Sequence, residues 1–380
     1  MTDQLPTPLQ GVKVLDLSRV LAGPWASQIL ADYGAEVIKV ERPGQGDDTR
    51  AWGPPWWGEG DGRLSAYFIC ANRGKRSVAV DIASDEGKKQ IQEMAAQADV
   101  LLENYKVGQL AKYGLDAATL QRINPRLIYC SITGYGQTGP LSGKAGYDFA
   151  IQAEGGLMSI TGDPSGEPQK VGVAVTDVMT GLYATQAILA ALFERERTGK
   201  GRVIDVALLD VQVAMLANQA SNQLIGQTTP KRMGNAHPNI VPYQAFATAD
   251  GHMVLAIGND LQFAKFCEVA GYADVARDDR YANNPSRVAN RQALVGMVEG
   301  WLRTRTTEAW VRALEAAGVP CSPIHNIAQV LAYPQVIERG MVIHEKPGES
   351  PPMVAQPVMF DGKRPMATLP PALMPKNSES

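Results

Sequence analysis

The stretch GKAGYDFAIQ, residues 143–152, sets a carboxylic acid among groups that disfavour its charge. Asp148 stands between Tyr147 and Phe149 and leads into Ala150 and Ile151. A carboxylate loses solvation in apolar company. Two tasks account for such an acid. It caps a helix, common work for Asp at a loop-to-helix step, or it is a reactive carboxylate shielded from water. The run SITGYGQTGPLSGKAGYD (131–148) leaves the carboxyl end of a strand through glycine-rich turns and delivers Asp148. Carboxyl ends of parallel strands are where such sheets bind ligands. That adds weight to the reactive reading and leaves both open.

Other stretches carry groups suited to binding. ERPGQGDDTRAWGPPWW (41–57) crowds charge, Trp, Gly and Pro into one loop, either a binding loop or an ordinary surface one. NRGKRSV (72–78) sets Arg73, Lys75 and Arg76 ahead of a strand, and ENYKVGQLAKYG (103–114) adds Lys106 and Lys112. Such runs are solvated faces or phosphate contacts. Arg50, Arg232 and His237 stand in loops and are available to meet a second carboxylate. Cys70, Cys130, Cys267 and Cys321 are scattered without a CxxC, and His237, His252, His325 and His344 lack metal-ligand spacing. Free thiols in a reducing cytoplasm are expected.

Positioning these groups requires a scaffold, and the pattern supplies an α/β one. GVKVLDLS (11–18) reads as a buried strand, AGPWASQILADYG (22–34) as a helix with Pro24 in its first turn, and AEVIKVERPG (35–44) as a second strand. KRSVAVDI (75–82), DVLLEN (99–104) and RLIYCSIT (126–133) are further strands, with a Ser84-capped helix between the first two. Strands alternating with helices predict a doubly wound, Rossmann-like parallel sheet. The first βα turn reads LSRVLAGP, not GxGxxG, which argues against a dinucleotide-binding dehydrogenase. Long helices are predicted over 175–201 and about 208–225, with Asp177 a structural or helix-start residue. The Gly-, Pro- and Asn-rich stretch 226–243 marks a change of texture. The expected division is a large domain, 1–225, a small α+β domain, 226–332, and a Pro-rich strap, 333–380, that packs over the large domain.

With 380 residues, 45% hydrophobic and 20% charged, the chain has ample material for such cores. A net charge of −3 gives no argument for nucleic acid or an anionic membrane surface. No apolar run reaches about 18 residues, so no membrane span is expected. The N-terminus, MTDQLPTPLQG, is neither a signal nor a transit peptide, and a cytoplasmic location is expected.

The words DLSRVLAGPWASQILADYGAEVIKVERPGQGDDTR, NRGKRSVAVD, ENYKVG, ITGYGQTGP and AGYD resemble the class III CoA-transferases, a superfamily that includes formyl-CoA transferase and α-methylacyl-CoA racemase. The likeness runs over roughly residues 8 to 370 and is closest to the succinate–hydroxymethylglutarate (glutarate) branch. It implies an interlocked, ring-like homodimer with coenzyme A or acyl-CoA as substrate and no tightly bound cofactor or metal. Asp148 matches the family's nucleophile in this reading. Succinyl-CoA is the implied donor and a C4–C6 dicarboxylate such as glutarate, hydroxymethylglutarate or itaconate the acceptor. The chemistry runs through an aspartyl mixed anhydride and an aspartyl-CoA thioester, so water must be excluded. The resemblance assigns CoA contacts to Arg19, Val20, Leu21 and Ala22, then to Arg42, Lys75 and Arg76. It adds Asn104, Tyr105, Lys106, Lys112, Gly146 and Tyr147.

Related racemases carry His where Tyr147 stands and their other acid where Asp177 stands, and an unperturbed phenol pKa of about 10 suits Tyr147 poorly to racemisation. An acyl-CoA racemase or epimerase, or a non-catalytic CoA-binding protein, are the alternatives. The glycine-rich lid of formyl-CoA transferase has no counterpart near MGNAHPNIVPY, and the chain stops at PPALMPKNSES where relatives continue with an LGxHT-like segment.

Overall fold

The computed structural model describes residues 7–343, 350–367 and 372. The chain divides into two compact units. The first comprises Met1–Leu157, Lys170–Thr228 and Pro334–Ser380, and the second Met158–Gln169 and Thr229–Tyr333.

The first unit is built on six parallel strands: β1 (Lys13–Asp16), β2 (Glu36–Glu41), β3 (Lys75–Ala79), β4 (Val100–Glu103), β5 (Ile128–Thr133) and β6 (Val203–Ala207). Their spatial order is β3-β2-β1-β4-β5-β6. The order reverses between β1 and β4, and that is where doubly wound sheets open a crevice for ligand. Alternate residues bury on opposite faces. Val14, Leu102 and Ile128 pack with Leu30 and Ile188 on one side. Leu15, Leu101 and Tyr129 pack with Ile91 and Ala95 on the other.

The helices of this unit that bear on the site are α1 (Ala22–Asp32), α2 (Asp85–Gln97), α3 (Asp148–Glu154), α4 (Val175–Thr198), α5 (Leu208–Met215) and α6 (Ala217–Gly226). The single helix expected over 208–225 is broken at Ala217, whose φ of 44° leaves the helical region. Helix α4 crosses α1 closely: a Cβ at Gly181 would lie 2.7 Å from the carbonyl oxygen of Ala22. That contact fixes the start of α4 against the loop that follows β1. Among the described residues α4 is also the one helix long and apolar enough to cross a membrane. Its Ala184 and Ile188 are fully buried in the core just described.

Residues 344–349, 368–371 and 373–380 of the expected strap, with His344, lie outside the described residues. The described part returns to the first unit. Met353–Val354 pairs with Val342–Ile343, and Ile343, Met353 and Ala355 bury against Leu64, Phe68 and Ile69.

The second unit holds the antiparallel strands β7 (Tyr243–Ala247), β8 (His252–Ala256) and β9 (Cys321–Pro323), packed with α7 (Asp260–Ala270), α8 (Arg291–Leu302) and α9 (Thr307–Ala316). It also takes in Met158–Gln169, a segment read from sequence as part of 1–225. The reason is local bonding: Gly234 N–H donates to Gly162 O at 3.0 Å, and Arg232 donates to Asp163 O and Gly166 O.

Candidate active site

The crevice at the carboxyl ends of β1 and β4 is tied together by one side chain. Asn104 accepts the Arg19 backbone N–H at 2.9 Å and donates to the Arg19 carbonyl at 2.7 Å. The next residue, Val20, sits at φ 71°, a conformation that costs a β-branched residue about 1–3 kcal/mol. Its N–H is directed at the Asp47 carboxylate, 3.3 Å away. Asp47 is in turn held by the fully buried Lys39 at 2.8 Å. Burial opposes the Asp47 charge, and Lys39 overcomes it, holding the carboxyl below its usual range.

A cavity of about 200 Å³ opens here. Arg19, Val20, Leu21 and Ala22 line it from the loop after β1, and Asn104, Tyr105 and Lys106 from the loop after β4. Gly146 and Tyr147 line it ahead of α3. Gly146 lies back to back with Gly134, since a Cβ on Gly146 would come within 2.7 Å of the Gly134 Cα. Only glycine at both positions lets the loop approach the end of β5. Arg42 lines an adjoining cavity, also of about 200 Å³, that shares Arg19 and Tyr105. Lys112 is exposed on the 3-10 turn Leu110–Tyr113.

Two of the expected phosphate contacts do not line this crevice. Lys75 is 2% exposed and donates to Asp16 at 3.2 Å, Pro24 O at 2.9 Å and Asn72 at 2.9 Å, which uses its three protons. Burial brings it down to about 8, and Asp16 opposes that fall. It is a buried counter-ion beneath the crevice. Arg76 points to the other face of the sheet, pairs with Glu36 at 3.6 Å and lines a different cavity with Lys13 and Gln97.

The two acids, Asp148 and Asp177, are placed differently. Asp148 is the first residue of α3, not its cap; Tyr147 holds that position without a side-chain bond. The Asp148 carboxylate is 9% exposed and fully engaged. Oδ1 accepts from Gln152 Nε2 at 2.6 Å, and Oδ2 accepts from the backbone N–H groups of Thr176 at 2.8 Å and Asp177 at 3.2 Å. Those N–H groups belong to the first turn of α4, whose own cap residue, Ala174, has no acceptor to offer. Asp148 therefore caps a helix, but a distant one, and it is not among the residues that line the cavity.

Asp177 does line it. Its carboxyl is half-buried and takes no hydrogen bond from the described residues. Burial first, then the negative charge of Asp148, push it up to about 7. The half-buried Tyr67 phenol lies within electrostatic reach of both acids and is pushed up to about 12, by burial first, then by Asp177, Cys70 and Asp148. Lys144, bonded to Glu154 and lying over the Tyr135 ring, completes the rim. Sequence reasoning passed over Tyr67 and Lys144 and set Asp177 aside. The available signal was the motif AVTD itself, a helix start whose capping position holds alanine.

A basic crevice at the strand-order reversal, with an unbonded acid at its edge, suits an anionic ligand attached to an electrophilic carbonyl. The sequence model of CoA-transferase family III matches residues 9–376. The chain belongs to CoA-transferase family III. Like other family III enzymes it is a CoA-transferase, and its substrates are CoA thioesters. It is 51% identical over 336 residues to the succinate–glutarate CoA-transferase of Agrobacterium fabrum, covering 88% of this chain and 84% of that one. It is 50% identical to the human succinyl-CoA:glutarate CoA-transferase, covering 88% of this chain and 76% of that one. The crystal structure of a CAIB/BAIF family protein from Brucella suis superposes with a TM-score of 0.85 at 49% identity over 97% of each chain.

Within this family III chain the three residues expected to greet a second carboxylate are already occupied. Arg50 is buried in a two-pronged pair with Glu41, both contacts 2.7 Å. Arg232 is bonded to the carbonyls named above, and His237 Nδ1 accepts from Asn239 N–H at 3.1 Å. Among the described residues no group of three His, Cys, Asp or Glu could hold a metal ion.

Proposed function

We propose that this chain moves CoA from succinyl-CoA to glutarate or a similar C4–C6 dicarboxylate, with Asp177 as the attacking carboxylate. The substrate reading is supported by relatives about 50% identical that are named for succinate or succinyl-CoA and glutarate. The assignment of Asp177 in place of Asp148 is carried by one observation: Asp177 lines the cavity with its carboxyl unbonded, whereas both oxygens of Asp148 are committed.

An Asp177 oxygen attacks the thioester carbonyl, the C–S bond breaks, and CoA thiolate leaves a mixed anhydride. The thiolate attacks the aspartyl carbonyl, which forms an aspartyl-CoA thioester and releases succinate. The acceptor carboxylate attacks that thioester and the thiolate leaves again. Its return to the acceptor acyl carbon gives the new thioester and restores Asp177. No proton is gained or lost over the cycle. A carboxyl titrating near 7 is more basic than an ordinary one, which favours attack at neutral pH.

Arg19, Arg42 and Lys106 supply positive charge for the CoA phosphates, and exposed Lys112 is within the same basic stretch. Val20, Leu21, Ala22, Tyr105, Gly146 and Tyr147 form walls for the pantetheine arm, and Asn104 holds the Arg19 loop in place. The functional form is a homodimer. Supporting that, α6 buries no residue, with Leu224 75% and Ile225 85% exposed, and Phe193 on α4 is 67% exposed.

The test is direct. Incubate the protein with succinyl-CoA and a panel of carboxylic acids, and identify new thioesters by mass spectrometry. Glutaryl-CoA formation supports the reading; exchange with formate or oxalate alone, and none with C4–C6 diacids, refutes it.

A further inference from the structure

We infer that Asp148 is a positioning residue for the transfer reaction, holding the first turn of α4 at the cavity edge and keeping a fixed negative charge beside the Asp177 carboxyl. This deepens the reading above and rests on it.

The geometry has two parts. First, α4 begins without a cap of its own, and the N–H groups of Thr176 and Asp177 find their acceptor on α3. The bond to Asp177 N–H fixes the backbone of the very residue whose side chain lines the cavity. Gln152 locks the other Asp148 oxygen and is itself held, accepting the Val171 N–H at 2.9 Å. Thr176 is fixed as well, its hydroxyl donating to Gln212 Oε1 on α5 at 2.6 Å. The Asp148 carboxylate and the Asp177 backbone are thereby held to each other.

Second, the donors to Asp148 are neutral. They are the backbone N–H groups at the start of α4 and the Gln152 amide, and no ion pair among the described residues includes Asp148. The other charged or titratable groups around the cavity are Arg19, Asp48, Tyr105, Lys106, Lys144 and Tyr147, and Tyr67 lies within electrostatic reach of both acids. Arg19 is directed at Asp48 and Lys144 at Glu154, which leaves Asp148 as the charge that acts on Asp177. One carboxylate raises the proton affinity of the other, and the more basic oxygen is the better nucleophile.

The experiment is the pH–rate profile of kcat/KM for succinyl-CoA with glutarate, in the wild type and in Asp148→Asn. Asn keeps an oxygen for the α4 N–H groups and removes the charge. In the wild type the ascending limb is expected at about 7. In the variant it moves down by about one pH unit, because burial, the larger cause, remains, so that the ratio of rates at pH 6 and pH 8 rises from roughly 0.1 to roughly 0.5. A purely structural cap would lower the rate by one factor at every pH and leave the limb in place, and that result overturns the inference. Should the variant not fold, the wild type alone still decides, because an ascending limb near 4 rules out a raised Asp177. Trapping with hydroxylamine during turnover separates this inference from the reading beneath it. An adduct on Asp177 with an unmoved limb sinks the positioning role only, and an adduct on Asp148 sinks the assignment of Asp177 itself.

Discussion

Asp148 Oδ2 accepts the backbone N–H of Asp177 at 3.2 Å, yet nothing among the described residues donates to the Asp177 carboxyl. One acid is spent on holding a helix and the other is left facing a cavity. The predictions below follow from that division and from the charges around it.

Asp177→Asn is expected to abolish transfer, lowering kcat by several orders of magnitude, because a covalent route needs an oxygen nucleophile at that point. CoA binding should change little, since Arg19, Arg42 and Lys106 remain. Isothermal titration with CoA and a turnover assay measure the two separately, and turnover near the wild-type rate would remove Asp177 from the mechanism.

The same substitution has a stability consequence with a definite sign. The folded Asp177 carboxyl titrates at about 7, above the ordinary aspartate value of 3.8. Its folded form holds the proton more tightly, so the stability it contributes is full below 3.8 and is lost as pH rises through 7. Relative to the wild type, Asp177→Asn should therefore be more stable at pH 8 than at pH 4, by on the order of 2 kcal/mol after allowance for partial exposure. Paired thermal melts at the two pH values check it; a difference of opposite sign contradicts the raised carboxyl.

Two lysines separate fold from binding. Lys75→Met leaves buried Asp16 without its nearest cation and should cost about 3 kcal/mol in denaturant unfolding, with CoA affinity of the folded protein nearly unchanged. Lys106→Ala should do the reverse: normal stability, with CoA affinity weakened roughly tenfold and less dependent on salt. Weaker CoA binding by Lys75→Met at full stability would show Lys75 to be a ligand contact and not a buried counter-ion alone.

Leu224→Asp combined with Ile225→Asp places charge on the exposed face of α6. If that face is an interface between copies, small-angle scattering should show a dimer for the wild type and a smaller particle for the double variant. A wild-type monomer at micromolar concentration would refute the homodimer.

The α/β class, the early strands and α1 were legible in the sequence because short apolar runs, glycine stops and a proline in the first turn act locally. The basic residues near the crevice and its glycine-rich loop could be read in the same way. What only the tertiary structure decided is how differently two like residues are placed. Lys75 and Lys106 both look like phosphate ligands in sequence, but the first lies under the sheet edge with three acceptors around it and the second faces solvent. Asp148 and Asp177 both stand at helix starts, and the apolar flanks of Asp148 made it look the more reactive. Their roles depend on which carboxylate meets the uncapped N–H groups of α4, a contact made across 28 and 29 residues of chain. Local patterning cannot encode that choice, because a carboxylate's reactivity is set by donors and charges that folding brings to it from elsewhere.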